Sequence, residues 1–204
     1  MISIVDYGLG NIQAFLNVYA RLNIEARAVR TADALADATK IILPGIGAFD
    51  HAIELLDGSG MRQTLDRLVL ESRVPVLGVC VGMQIMAGGS DEGDRPGLAW
   101  IDGHVCRVAG LAAPGVLQLP HMGWNDVAPT QPHRLFTGLE TDARFYFLHS
   151  FYFDCTDRAN VAATTNYGQD FPSAVHRDNI FGAQFHPEKS HHYGTALLRN
   201  FAEL

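Results

Sequence analysis

Cys80 lies in Gly78-Val79-Cys80-Val81-Gly82, at the end of a short apolar run (residues 74–79) and ahead of Met83-Gln84-Ile85-Met86, which reads as the opening of a helix. A strand, a sharp turn flanked by small residues and a helix together make a nucleophile elbow, which pushes one side chain into the open. A helix dipole contributes only about 0.3–1 kcal/mol, too little by itself to hold a thiolate at neutral pH, so such a cysteine needs a general base. His186-Pro187-Glu188 supplies one. Residues two apart in extended chain share a side, and Pro187 restricts both its own backbone and that of His186. Cys80 would then attack a carbonyl carbon, His186 would take the thiol proton and return it to the leaving group, and Glu188 would hold the imidazole in one tautomer. The resulting oxyanion needs N–H donors, for which Val81 and the loop 44–47, at Gly47, are the candidates.

Plainer readings compete at each of these positions. A lone cysteine on an apolar strand is most often inert, and that is how Cys106 and Cys155 read. His191 and His192 follow His186 closely, yet the spacing matches no zinc pattern, so neither metal nor cofactor is expected. Gly8-x-Gly10 resembles the start of a dinucleotide fingerprint, but position 13 is Gln and no acidic residue follows at the required place, which leaves a tight turn.

The elements that must hold these groups are a first strand over residues 2–5, a helix with Ile12, Phe15, Leu16 and Tyr19 on one face, a weak strand over 26–29 and another over 40–43. The last runs into Pro44-Gly45-Ile46-Gly47, where ligands meet the carboxyl ends of a parallel sheet. Helices carrying Ile53, Leu55 and Leu56, then spanning 61–72, lead to the strand before Cys80. This alternation predicts a doubly wound, mostly parallel α/β sheet flanked by helices. Beyond it, strand candidates at 101–108, 116–119, 145–153 and 161–165 with only turns between them predict an antiparallel extension. A strand over 180–185 and a closing helix over 193–204 complete the chain.

At 204 residues, 48% hydrophobic and 18% charged, the chain suits one core, read as a single domain over 1–204. A net charge of −7 without basic clusters argues against nucleic-acid binding. No apolar run approaches a membrane span, and the N-terminus begins directly on a strand-like Ile-Ser-Ile-Val with no export signal. Three cysteines make no disulfide framework, and a thiol nucleophile needs a reducing compartment, so the expected location is cytoplasmic.

Taken together, Gly78-Val79-Cys80-Val81-Gly82-Met83-Gln84 and His186-Pro187-Glu188 resemble the class I, triad-type glutamine amidotransferases. Asp6-Tyr7-Gly8-Leu9-Gly10-Asn11, residues 44–49, Pro120-His121-Met122-Gly123-Trp124-Asn125, residues 145–150 and residues 184–190 are similar to one branch of that family, which feeds ammonia to a separate (β/α)8 cyclase subunit in histidine biosynthesis. The resemblance implies hydrolysis of glutamine to glutamate and ammonia through a thioester on Cys80, in a heterodimer with the cyclase and with little activity in its absence. It implies that Gln84 and the backbone near Gly47, Ser150 and Phe151 hold glutamine, and that Asn11, His121, Trp124, Tyr146 and Lys189 lie toward the cyclase and the ammonia exit. Val79 and Val81 stand where isoleucine and leucine are common, and Phe151 where tyrosine is common. Three rivals stay open at this point: a paralogue serving another synthase, a thiol hydrolase needing no partner, and a silent interaction module.

Overall fold

A computed structural model of the chain describes residues 1–113 and 116–204. In chain order the elements are β1 (Ile2–Val5), α1 (Ile12–Arg21), β2 (Ala26–Val29), α2 (Ala32–Leu35), β3 (Ile41–Gly45), α3 (Phe49–Gly58), α4 (Arg62–Asp66), β4 (Val76–Cys80), α5 (Val81–Gln84), β5 (Gly89–Ser90) and β6 (Gly103–Arg107). There follow β7 (His121–Asp126), β8 (Ala128–Pro129), β9 (Arg144–His149), β10 (Phe151–Cys155), β11 (Val161–Tyr167), β12 (Gln169–Arg177), β13 (Ile180–Ala183) and α6 (His191–Glu203).

Eight strands form one sheet in the order β2-β1-β3-β4-β13-β12-β11-β8. The pairs from β2 to β13 are parallel and those from β13 to β8 antiparallel. A parallel half with an antiparallel extension is the architecture expected from the sequence, but of the strands expected in that extension only the one at 161–165 lies in it, as β11. β1, β3 and β4 are buried at every position, as strands covered on both faces must be, so apart from Ser3 in β1 they read as apolar runs without alternation. α1 begins where the Asn11 side chain accepts a hydrogen bond from Ala14 N at 3.3 Å, and it ends before Asn23, whose φ of 56° stops a helix. Its buried face of Phe15, Val18 and Tyr19 packs against α6, where Tyr19 Oη donates to Leu198 O at 3.3 Å. Each such large apolar side chain contributes roughly 1.5–3 kcal/mol by leaving water.

The register of the central strands sets up the site. Gly45 at the end of β3 lies opposite Cys80 at the end of β4, and Ala183 at the end of β13 lies opposite Val79. Cys80 and the residues just after Ala183 therefore leave the sheet at the same edge, where the carboxyl ends of parallel strands meet ligands.

Four expectations need correction. Residues 116–119 form bends rather than a strand. The run 145–153 is two strands broken at Ser150, because the chain changes partner there: β9 pairs with β7 as a two-stranded sheet, while β10 pairs with β6 in a three-stranded one. The helix expected over 61–72 is α4 followed by a wider π-type turn at Arg67–Glu71. β12 was not anticipated, since Pro172 demotes a strand in sequence; Pro172 is tolerated because it falls outside the stretch paired with β13, which begins at Ala174. Among the described residues, no helix is long and apolar enough to cross a membrane.

Candidate active site

The strand-to-helix turn expected at Cys80 is present and strained. Cys80 has φ 54° and ψ −116°, a region L-residues avoid, and strain of this kind survives only where the surroundings impose it. The flanking glycines are part of that imposition. A Cβ on Gly82 would stand 1.9 Å from the Leu43 carbonyl oxygen of β3, and one on Gly78 would stand 2.6 Å from the Gly82 carbonyl oxygen. Since the obstacle at Gly82 is backbone, Gly82→Ala is expected to cost at least about 3 kcal/mol, the upper end of ordinary overpacking. Thermal melting should show this as a Tm lower by about 6–12 °C. α5 is only four residues long, so the dipole part of the sequence argument shrinks and more of the burden falls on His186.

His186 Nδ1 lies 2.9 Å from Glu188 Oε1, both side chains being only 2% exposed. The two meet through a 3₁₀ turn at Pro187–Lys189 rather than by strand alternation, which corrects the reason given from sequence but not the pairing. The turn is clamped at several points. His186 N donates to Tyr146 O at 2.9 Å, and Ser190 Oγ donates to His186 O at 2.6 Å while accepting from Tyr146 N at 3.0 Å. Burial alone would depress the imidazole, but hydrogen bonds to Cys80 and Glu188 override it and push His186 up to about 9. The neighbouring Cys80 and Glu188 thus favour the protonated imidazole. The Cys80 sulfur also has Gln184 Nε2 at 3.8 Å and Leu148 O at 4.0 Å. Cys155, by contrast, is pushed up to about 12 by burial and the neighbouring Asp154, the behaviour of an inert thiol.

Cys80 and His186 line a cavity of ≈ 240 Å³ whose walls include Gly47, Val81, Gln84, Ser150 and Phe151. Every position expected from sequence to bind substrate or oxyanion thus lines one space. Its volume is below the roughly 300–1,000 Å³ of drug-sized sites and suits an amino acid. Gly47 has φ 105° and nothing within 4 Å of where a Cβ would be, whereas Pro44, three residues earlier, is held by Tyr7 Oη donating to its carbonyl at 2.8 Å. The loop is pinned at its start and open at its end. Gln84 Nε2 donates to Phe151 O and Gln184 Oε1, both at 3.0 Å, which leaves its carbonyl oxygen for a ligand. Phe151 takes part through its backbone, and its ring lies under the Arg107 guanidinium at 5.1 Å, so the missing tyrosine hydroxyl is not needed for these contacts.

Three residues escaped the sequence reading. Glu92 lines the cavity and accepts from Phe49 N at 2.9 Å; in sequence it belongs to Ser90-Asp91-Glu92-Gly93-Asp94, which looks like a solvated acidic loop. Gln184 and His149 are buried and bonded to groups of the site. Alternation along the β9 motif is the signal by which His149 was open to discovery.

Outside the cavity, Trp124 stacks on His191 at 5.3 Å and meets Tyr146 edge-on at 6.4 Å, and Lys189 Nζ lies 6.0 Å from the Tyr146 ring. These three expected partner residues share one patch, and Asn11 is exposed as the cap of α1. His121 does not belong with them. It is 4% exposed, because alternation along β7 turns Met122 and Trp124 outward and His121 inward. Among the described residues, no group of three or more His, Cys, Asp or Glu is placed to hold a metal ion.

Residues 3–204 match the family model described as glutamine amidotransferase class-I. Over the full length of both chains, this one is 58% identical to the imidazole glycerol phosphate synthase subunit HisH of Bdellovibrio bacteriovorus and 50% identical to that of Leptospira interrogans. Among solved structures it resembles a glutamine amidotransferase with TM-score 0.77 at 21% identity, covering 99% of this chain and 97% of that one. A glutamine amidotransferase from Thermotoga maritima gives TM-score 0.64 at 17% identity, with 99% and 82% covered.

Proposed function

The chain belongs to the class I glutamine amidotransferase family, and on that premise we propose that it is the glutaminase subunit of an imidazole glycerol phosphate synthase, working in histidine biosynthesis as one domain over residues 1–204. The observation that carries this is that Cys80 and His186 line one amino-acid-sized cavity, with Glu188 bonded to His186, in a chain 58% identical over its whole length to a subunit of that synthase.

Cys80 Sγ, having given its proton to His186, attacks the carboxamide carbon of glutamine. The oxyanion is met by the N–H groups of Val81 and, once its loop turns, Gly47. Collapse of the tetrahedral adduct breaks the C–N bond, His186 protonates the departing nitrogen, and ammonia leaves a glutamyl thioester on Cys80. Water, deprotonated by His186, then attacks the thioester; glutamate departs and the thiol is restored. Glu188 holds the imidazole through Nδ1 in both halves. Glutamine's amino-acid end lies among Gln84, Ser150 and the Phe151 backbone, and the carboxylate of Glu92 faces its ammonium group.

The partner is the cyclase subunit. Exposed apolar groups at Ile46, Met122, Trp124 and Leu148 support a docking surface that includes the cavity mouth. Trp124, Tyr146, Lys189 and Asn11 are its polar and aromatic parts. The cytoplasm is the compartment that keeps such a thiol reduced. Rotation of the Gly47 peptide when the bound cyclase takes up its ligand is the activating step, because a glycine turns at little cost.

The test is ammonia release from glutamine by the chain alone, with cyclase, and with cyclase plus its nucleotide ligand. Activity should be low alone and rise in that order. Equal rates in all three mixtures would overturn partner dependence, and failure of the histidine-pathway cyclase to bind the chain would assign it to a different synthase.

A further inference from the structure

His121 and His149 face each other across the β7–β9 pair, both buried and both outside the catalytic scheme above. Their hydrogen bonds can be followed donor by donor. Asn125 Oδ1 accepts from Asp126 N at 2.8 Å, so its Nδ2 is the atom that donates to Asn166 O at 3.0 Å and to His121 Nε2 at 3.2 Å. With its Nε2 an acceptor, His121 carries its proton on Nδ1 and donates to His149 Nε2 at 2.9 Å. His149 in turn carries its proton on Nδ1 and donates to Phe151 O at 2.8 Å. That carbonyl is the one that also accepts from Gln84 Nε2.

The order holds only while both rings are neutral. Burial keeps them so, lowering His121 to about 4 and His149 to about 3. Aromatic walls fix the rings in place: His121 stacks on Tyr167 at 4.0 Å and Phe147 at 4.8 Å, and Phe171 lies 5.3 Å from His149. Two buried imidazoles are a costly way to fill space that apolar side chains could occupy, and a fully satisfied polar line specifies one geometry.

We propose that His149 is a positioning residue for the glutamine cavity: its Nδ1–H, held in that tautomer by the proton His121 donates to Nε2, anchors the Phe151 carbonyl, and with it Gln84, beside the strand whose other face presents Met122 and Trp124. The role rests on the glutaminase reading above, and it makes β7 the element through which a docked cyclase bears on glutamine binding.

Two substitutions of one residue separate positioning from bulk structure. In His149→Asn the amide nitrogen occupies the place of Nδ1 and keeps the bond to Phe151 O; in His149→Gln the longer side chain reaches the place of Nε2, keeps His121 and gives up Phe151. In the complex with cyclase, His149→Gln should raise the KM for glutamine about tenfold, the scale of one buried hydrogen bond left unmade, with kcat changed less than threefold. His149→Asn should raise it at least about fivefold less than His149→Gln does. Equal KM values in the two variants, or a loss confined to kcat, overturns the proposal.

Imidazole ¹⁵N shifts of the unsubstituted protein provide a second measurement that does not depend on turnover. Both rings should show protonated Nδ1 and bare Nε2, and Nε2–H on either ring breaks the line. A wild-type complex that releases no ammonia sinks the glutaminase reading, while the ¹⁵N result still decides whether the line exists.

Discussion

Cys80→Ala is expected to lower glutamine turnover on the order of 10⁶-fold, the scale at which loss of a triad nucleophile leaves only binding and oxyanion stabilisation. Without the sulfur no thioester forms, and His186 has no proton to receive. The fold should survive, because alanine fits where cysteine does and the strained φ of 54° is imposed by neighbours that remain, among them the Leu43 carbonyl against Gly82. Glutamine should still bind, since the cavity walls at Gln84, Glu92 and Phe151 are untouched. The measurement is ammonia release in the cyclase complex, together with calorimetric binding of glutamine and a melting curve. Turnover within tenfold of wild type would remove Cys80 from the chemistry. Lost binding together with a large fall in Tm would instead show that the substitution had damaged the fold.

The parts of this molecule that were legible in the sequence are those where one local rule decides. β4 and Cys80 could be read because an apolar run, two glycines and a helix start are all local, and the close approaches at Gly78 and Gly82 show why those glycines are required. His186 and Glu188 were legible as a pair because they are two residues apart, although a 3₁₀ turn and not an extended chain brings them together. Where tertiary partners decide, the sequence was silent or misleading. Ser150 looks like the middle of one strand, yet β9 and β10 belong to different sheets on either side of it. Pro172 hid a strand that pairs with β11 through that proline, while its other partner, β13, stops short of it. His121 stands in a motif with Trp124, and only the pairing of β7 with β9 decides that one faces inward and the other out. Glu92 comes from a loop whose composition signals solvent, and it reaches the cavity by bonding to the start of α3.

Glu188→Gln should lower kcat on the order of 10⁴-fold, as loss of a buried triad carboxylate does, while keeping the shape of the side chain. Two effects combine. The amide can turn its nitrogen toward His186 Nδ1, which forces the wrong tautomer, and the charge that helps hold the imidazolium is gone. In the wild type, burial pulls His186 down, and the hydrogen bonds it donates to Cys80 and Glu188 lift it from 6.5 to about 9. Because the folded value lies above the unfolded one, the protonated ring contributes stability that is fully present below about pH 6.5 and is lost as pH rises through about 9. Activity that needs His186 to protonate the leaving nitrogen should fall over the same alkaline limb. In Glu188→Gln burial acts against one fewer opposing charge, so the limb should move to lower pH and the alkaline loss of Tm should begin earlier. Rate and melting profiles across this range decide the matter. A limb that stays in place would mean that Glu188 orients the ring without setting its charge, whereas a displaced limb with a normal rate at low pH would mean that it sets the charge without orienting.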